Sequence, residues 1–355
     1  MRNSKIYSKI IYSNSPQTEL DEWINNYQKG KVFLATEENV DQLLLPVFGN
    51  YIDNQGINKI ILPSGESNKS LESVVKIWEF LSQNGADRKS LLINIGGGML
   101  TDLAGFAAST FKRGIDFINV PTTLLSQVDA SVGGKTGINF NGLKNEIGAF
   151  ENPVAVIINT EFLKTIDRKN FLSGFAEMIK HGLIRSTDHL EELRSFDLNN
   201  INYKNLLQII QNSVNIKEYY VLNDPTEKNI RKGLNFGHTI GHAFESLAME
   251  QSLPVHHGFA VAWGMIAEMY LSVKQCGFCE STHRDLTAWL QSIYGKFSLT
   301  TGDFDRLLEL MSHDKKNESN KIFFSLISEP GKVKINQICE KELIYEALNF
   351  YRNLN

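Results

Sequence analysis

The chain has 355 residues, 42% of them hydrophobic and 21% charged, with a formal net charge of −4. This is enough apolar chain for one large domain or two, each with a real core, and it excludes disordered, fibrous and repeat classes. The slight acidity argues against nucleic acid or an anionic membrane as the main partner.

Residues 1–21 mix Lys, Ser, Asn and Gln with single Ile and Tyr residues and hold no apolar run of the signal-peptide kind. No stretch is long and apolar enough to span a bilayer, and with three Cys the chain is expected to be a soluble, cytoplasmic protein. Lys31–Ala35 and Ile57–Leu62 read as strands. Leu71, Val74, Val75, Trp78 and Leu81 then recur at helical spacing. Leu91–Ile95 is a near-continuous apolar run, as expected of a strand buried on both faces, and Asp116–Val120 and Val154–Ile158 are further strands. Strands alternating with helices predict a parallel, Rossmann-like α/β sheet. After about residue 159 the segments near 168–185, 201–222, 227–249, 257–276, 282–293, 303–313 and 341–352 read as helices. One hairpin interrupts them, at 322–326 and 333–335. The expected division is an α/β domain over 1–160 and an all-α domain over 161–355, with the site in the cleft between them.

The strand at 91–95 runs into Gly96-Gly97-Gly98 and then a helical pattern. Such a turn lets the backbone approach a ligand closely and aims free N–H groups at a phosphate, so a dinucleotide pyrophosphate is the best reading; a purely structural turn is the alternative. Gly133-Gly134-Lys135-Thr136 invites a P-loop reading, but the Gly required at position 129 is Asp129. The glycine pair beside Lys135, and Lys144-Asn145 further on, suit an anionic substrate group. Four of the eight His fall at 238, 242, 256 and 257, and His238 and His242 stand one turn apart on a helix. That is metal-ligand spacing, though a helix that merely carries two polar residues fits the spacing alone. Cys276 and Cys279 lack a second pair to complete a zinc site, and Gly277 is expected to end the helix before it.

In combination these blocks resemble the 3-dehydroquinate synthase family. The matching segments are Gly65–Lys69, Gly96–Gly98 with Asp102, Val128–Thr136, Ala176–Lys180, and Leu234–His242 with His257-Gly258. The resemblance implies a lyase of the shikimate pathway of aromatic amino acid biosynthesis. It implies cyclisation of 3-deoxy-D-arabino-heptulosonate 7-phosphate to 3-dehydroquinate with loss of phosphate, using NAD+ catalytically and one divalent metal, zinc before cobalt.

Carried across residue by residue, it assigns the metal to Glu177, His238 and His257. His242, with Glu227 near it, becomes a proton carrier. Asp129 and Lys180 would hold ring hydroxyls, and Lys217, Arg231 and Asn235 the substrate carboxylate. Lys135, Asn145 and Lys321 would hold the phosphate, with Arg113 reaching the phosphate of a neighbouring copy in a homodimer. NAD+ would lie on Gly97 and Gly98, among Asp102, Glu66, Lys69, Thr122, Thr123, Asp129, Lys135 and Lys144. Glu37 and Asn39 would take its adenosine ribose. The family commonly has Asp where this chain has Glu37, and an acidic residue where it has Phe259. The rival readings are another sugar phosphate cyclase, such as a 2-deoxy-scyllo-inosose synthase, and a metal-dependent alcohol or glycerol dehydrogenase. Arg231, Asn235 and His242 together favour a substrate that carries a carboxylate.

Overall fold

A computed structural model describes residues 8–44, 48, 51–141, 143–312 and 321–354. The chain forms two compact units. The first is 1–167 with 200–214, and the second is 168–199 with 215–355.

The first unit contains β1 (Lys9–Tyr12), α1 (Pro16–Ile24), β2 (Val32–Glu37), α2 (Glu38–Leu43), α3 (Tyr51–Asn54), β3 (Asn58–Leu62), α4 (Leu71–Gln83), β4 (Leu91–Gly96), α5 (Gly98–Thr110) and β5 (Asp116–Pro121). A hairpin of β6 (Lys135–Phe140) and β7 (Leu143–Phe150) follows, then β8 (Ala155–Ile158). Six strands form a wholly parallel sheet in the order β1-β8-β5-β4-β2-β3. Both faces are covered, as the apolar runs require. Alternate residues of one strand enter different cores: Val32 and Leu34 join Leu20 and Phe162 on one face, while Phe33 and Ala35 join Val74, Ile77 and Leu103 on the other. The parallel sheet covered on both faces matches the expected Rossmann-like α/β fold. The antiparallel hairpin of β6 and β7 lies outside this sheet and is not among the strands expected from the sequence.

The second unit holds α6 (Arg168–Arg185) and α7 (Thr187–Arg194). Helix α8 (Tyr203–Asn223) gives residues up to Val214 to the first unit and the rest to the second. Then come α9 (His238–Glu250), α10 (His257–Cys276), α11 (Glu280–Tyr294), α12 (Phe304–Ser312), the antiparallel pair β9 (Phe323–Glu329) and β10 (Lys332–Ile338), and α13 (Lys341–Arg352). Apart from that hairpin the unit is helical, and Gly277 ends α10 in the left-handed conformation as expected. No helix among the described residues is long and apolar enough to cross a membrane. Cys276, Cys279 and Cys339 are free thiols.

One expected helix needs correction. The pattern over 227–249 predicts a single helix, but α9 starts only at His238. Gly237 has φ 79°, which an L side chain rarely adopts and which ends any helix entering it. A side chain there would also overlap Met265. Ile230 and Leu234 give the helical spacing, yet they belong to a short 3-10 turn, and Glu227 itself has φ 57°.

Candidate active site

In the second unit, three helices bring one carboxylate and three imidazoles together. Glu177 lies in the middle of α6 and is 0% exposed. Its Oε1 is 3.5 Å from His238 Nε2 and 3.6 Å from His257 Nε2, and its Oε2 pairs with Lys180 one turn on. His238 and His257 are each the first residue of their helix. Close packing makes the approach possible. A methyl at Gly258 would overlap the Ser173 carbonyl of α6, and Gly258 N–H donates to Ser173 Oγ at 3.0 Å.

The other ring nitrogens are occupied. His238 Nδ1 lies 3.1 Å from the Phe236 carbonyl, which can only accept. Nδ1 therefore carries the proton and Nε2 presents a lone pair toward Glu177. His257 Nδ1 lies 3.3 Å from the buried carboxylate of Glu245. Burial pulls the His257 pKa down, but the carboxylates of Glu177 and Glu245 raise it further than that, to about 10. Two carboxylates around one imidazole make a site with surplus negative charge. A proton satisfies it, and so does a divalent cation. The donor set thus fits a metal such as zinc, with one carboxylate and two imidazoles. His242 stands 5.1 Å from His238 and 5.7 Å from His257 between ring centres, and the nitrogens of the three lie close enough to share an ion.

The same unit buries three cations: Lys180 (1% exposed), Lys217 (6%) and Arg231 (2%). Buried cations need anionic partners: Lys180 has Glu177, and Arg231 lies near Asp224. Arg231 is held by the loop that precedes it. Asp224 accepts from the N–H groups of Lys228 (2.9 Å), Asn229 (2.6 Å) and Arg231 (3.1 Å), and Arg231 donates to Pro225 O at 2.8 Å. Burial alone would raise the Asp224 pKa; the three donors and the nearby guanidinium hold it below the ordinary carboxylate value. Asn235 Nδ2 donates to Glu227 Oε1 at 3.0 Å, so the loop brings Glu227, Arg231 and Asn235 together. Lys321 is exposed just before β9, and its landmark at Asp314–Asn317 falls outside the described residues. Phe259 packs among His256, Trp263 and Tyr294.

In the first unit the glycine turn leads from β4 into α5. Gly97 N–H donates to Glu37 Oε1 at 2.8 Å, and burial raises the Glu37 pKa although that bond lowers it. Glu37 therefore reaches the turn itself. Asn39 Oδ1 accepts from Ser64 Oγ (2.7 Å) and Val40 N (2.9 Å). Lys69, 3% exposed, pairs with Asp102 at 2.6 Å and touches the Asn145 carbonyl. Asn139 ties this group together. It accepts from Asn145 N–H (2.9 Å), donates its side chain to Glu66 Oε1 (2.9 Å), and its own N–H goes to Lys69 O (2.8 Å). Thr122 N–H donates to Gly96 O at 2.9 Å, and Thr123 joins Ser126. Asp129 lies in the turn at Ser126–Ala130. The hairpin separates two residues assigned to one phosphate: Lys135 starts β6 opposite Phe150, whereas Asn145 lies toward the other end near Asn139. Lys144, beside Asn145, is exposed. Arg113 lies in the exposed turn after α5, with φ 66°.

Asn139, Asp224, Glu245 and Glu268 were not singled out from the sequence, because each acts on backbone or ring N–H groups. A model of the 3-dehydroquinate synthase N-terminal region matches residues 59–173, and one of the C-terminal region matches residues 174–317. A 3-dehydroquinate synthase of Parabacteroides distasonis is 46% identical over 344 residues, covering 97% of this chain and 98% of that one. The chain belongs to the 3-dehydroquinate synthase family.

Solved structures share the fold of this synthase-family chain. A 2-deoxy-scyllo-inosose synthase, in complex with carbaglucose-6-phosphate, NAD+ and Co2+, superposes with a TM-score of 0.83 at 25% identity, over 96% of this chain and 95% of that one. A 2-epi-5-epi-valiolone synthase of Streptomyces hygroscopicus, with NAD+ and Zn2+ bound, gives a TM-score of 0.83 at 20% identity, over 99% and 98%.

Proposed function

We propose that this chain converts 3-deoxy-D-arabino-heptulosonate 7-phosphate to 3-dehydroquinate and phosphate, as a cytoplasmic lyase of aromatic amino acid biosynthesis. The observation that carries the reading is the convergence of Glu177 with His238 and His257, both Nδ1 atoms already engaged, in a chain of this family.

Glu177, His238 and His257 hold one divalent ion, zinc in the first place; the solved relatives with Co2+ or Zn2+ support a metal of this kind. Gly97, Gly98, Asp102, Glu66, Lys69, Thr122, Thr123 and Lys144 hold NAD+, with Glu37 and Asn39 at its adenosine end. When bound, NAD+ supplies a reversible hydride acceptor, and the ion supplies a Lewis acid that acidifies a ring hydroxyl. The protein's own groups do the rest. The Arg231 fork, with Asn235 and Lys217, orients the substrate carboxylate in two dimensions, which a point charge cannot do. Lys180 and Asp129 hold ring hydroxyls. Lys135 and Lys321 take the phosphate and favour its departure as an anion; Asn145, further along the hairpin and held by Lys69, is left out of this group. His242 moves the proton and Glu227 keeps charge near it; Glu227 is fixed for this by Asn235.

A homodimer completes the reading, with Arg113 serving the partner's phosphate. Phe140, Leu143 and Phe150, all exposed on the β6–β7 hairpin, support a second copy as the partner. Among cyclases, a substrate with a carboxylate is favoured by the buried, pre-set Arg231. The test is to incubate purified protein with NAD+, zinc and the heptulosonate phosphate. Phosphate and dehydroquinate form together, with no net NADH. Phosphate release confined to sugar phosphates that lack a carboxylate sinks the assignment.

A further inference from the structure

Helix α9 starts without the means to cap itself. Its N-cap is Gly237, which has no side chain, and its third residue is Ile240, which has no acceptor. The N–H groups of these two positions are the pair that a capping box satisfies from within the helix. Here a residue of another helix takes both. Glu268 of α10 accepts from Gly237 N–H at 2.7 Å through Oε2 and from Ile240 N–H at 3.0 Å through Oε1. Its side chain is 0% exposed, and it is the only acidic residue in α10.

The two bonds bracket His238, and the helix that supplies them begins with His257, eleven residues or about three turns earlier. A side-chain cap at position 237 is ruled out by the left-handed backbone and by Met265 beside it, and a local cap would in any case leave α9 free to shift along α10. A carboxylate buried in an otherwise apolar helix is a costly way to make a cap. It does what a local cap cannot, because it ties the helix of His238 and His242 to the helix of His257. Segment 236–238 also carries the carbonyl that fixes the His238 tautomer, so its placement decides where Nε2 points.

We propose that Glu268 is a positioning residue for the metal centre: it clamps the first turn of α9 to α10, so that His238 and His257 face Glu177 before any ion arrives. The proposal rests on the metal reading above. The experiment measures the zinc affinity of the full-length protein by competition with a chromophoric chelator, and the visible spectrum of the Co2+ form. Glu268→Gln keeps the size but turns an amide toward one of the N–H groups. Zinc binding falls about 10- to 100-fold, the scale usual for residues behind metal ligands, and the Co2+ bands shift. Leu290→Ala, in the core of the same unit, lowers the melting temperature but leaves affinity and spectrum unchanged.

Wild-type zinc affinity and Co2+ bands in Glu268→Gln overturn the proposal. If that variant does not fold, hydrogen exchange on the wild type decides. Gly237 and Ile240 amides protected before zinc is added support the clamp; protection that appears only with zinc overturns it. A wild type that takes up no divalent ion overturns the metal reading itself, which is a separate outcome from tight binding that is indifferent to Glu268.

Discussion

Helices α5 and α9 both follow a glycine, and both have the N–H of that glycine taken by a distant carboxylate. The likeness ends there. At α5 one bond from Glu37 meets Gly97, and the next N–H groups of the turn have no partner within the helix. At α9 Glu268 takes two of the first donors and is wholly buried. An identical local device thus serves two ends. The α5 terminus stays a place for an anion to dock, and the α9 terminus is an anchor whose product is the angle of His238.

Breaking the anchored side has the largest effect. His257→Ala is expected to lose bound zinc and to lower turnover on the order of 10³-fold or more, since the Lewis acid is worth several kcal/mol. His242→Ala keeps its zinc and loses roughly 10²- to 10⁴-fold in turnover, as for a lost proton carrier. Metal analysis beside kinetics separates them; zinc lost from both variants would make His242 a ligand.

Proton release on metal binding is the next test. In the metal-free protein His257 is protonated up to about pH 10. Its folded pKa lies above the ordinary value of 6.5, so it contributes stability that is complete below that value and lost as pH rises through about 10. Zinc binding at pH 8 should therefore release about one proton, seen by calorimetry in buffers of different ionisation enthalpy. No release would mean that His257 is already neutral beside Glu177. The melting temperature of the metal-free protein should also fall between pH 7 and pH 10, less so in His257→Ala.

The smallest effect belongs to the open side. Glu37→Ala is expected to weaken NAD+ about tenfold, one lost charged hydrogen bond, with zinc content unchanged. Tighter NAD+ binding in that variant would make Glu37 a competitor for the turn, and so sharpen the contrast with Glu268.

The sequence shows the parallel sheet plainly, because strands buried on both faces must be apolar along their length. It hides the β6–β7 hairpin, whose second strand, with Lys144, Asn145 and Glu146, is exposed along most of its length. It hides the true start of α9, because Ile230 and Leu234 keep helical spacing through a segment whose backbone is set by Asp224 and Gly237. The expected ligand trio follows from residue type, spacing and family resemblance, and the structure brings its three side chains together. Asp224, Glu245 and Asn139 are not, since a side chain that serves a backbone or ring N–H leaves no periodic trace. Glu268 does leave one: a lone acid in the apolar run from Phe259 to Val273 is out of place unless something buried needs it.

The contact of Gly258 with Ser173 bears on how the protein is assembled. The three proposed metal ligands are spread from position 177 to 257, and they come into range only after α6, α9 and α10 have packed backbone against backbone. In a small zinc finger the ion drives the fold; here the helices must dock first. An ion held there is expected to arrive late: a chelator should strip it from a chain that keeps its shape, and metal added back should restore the centre without refolding.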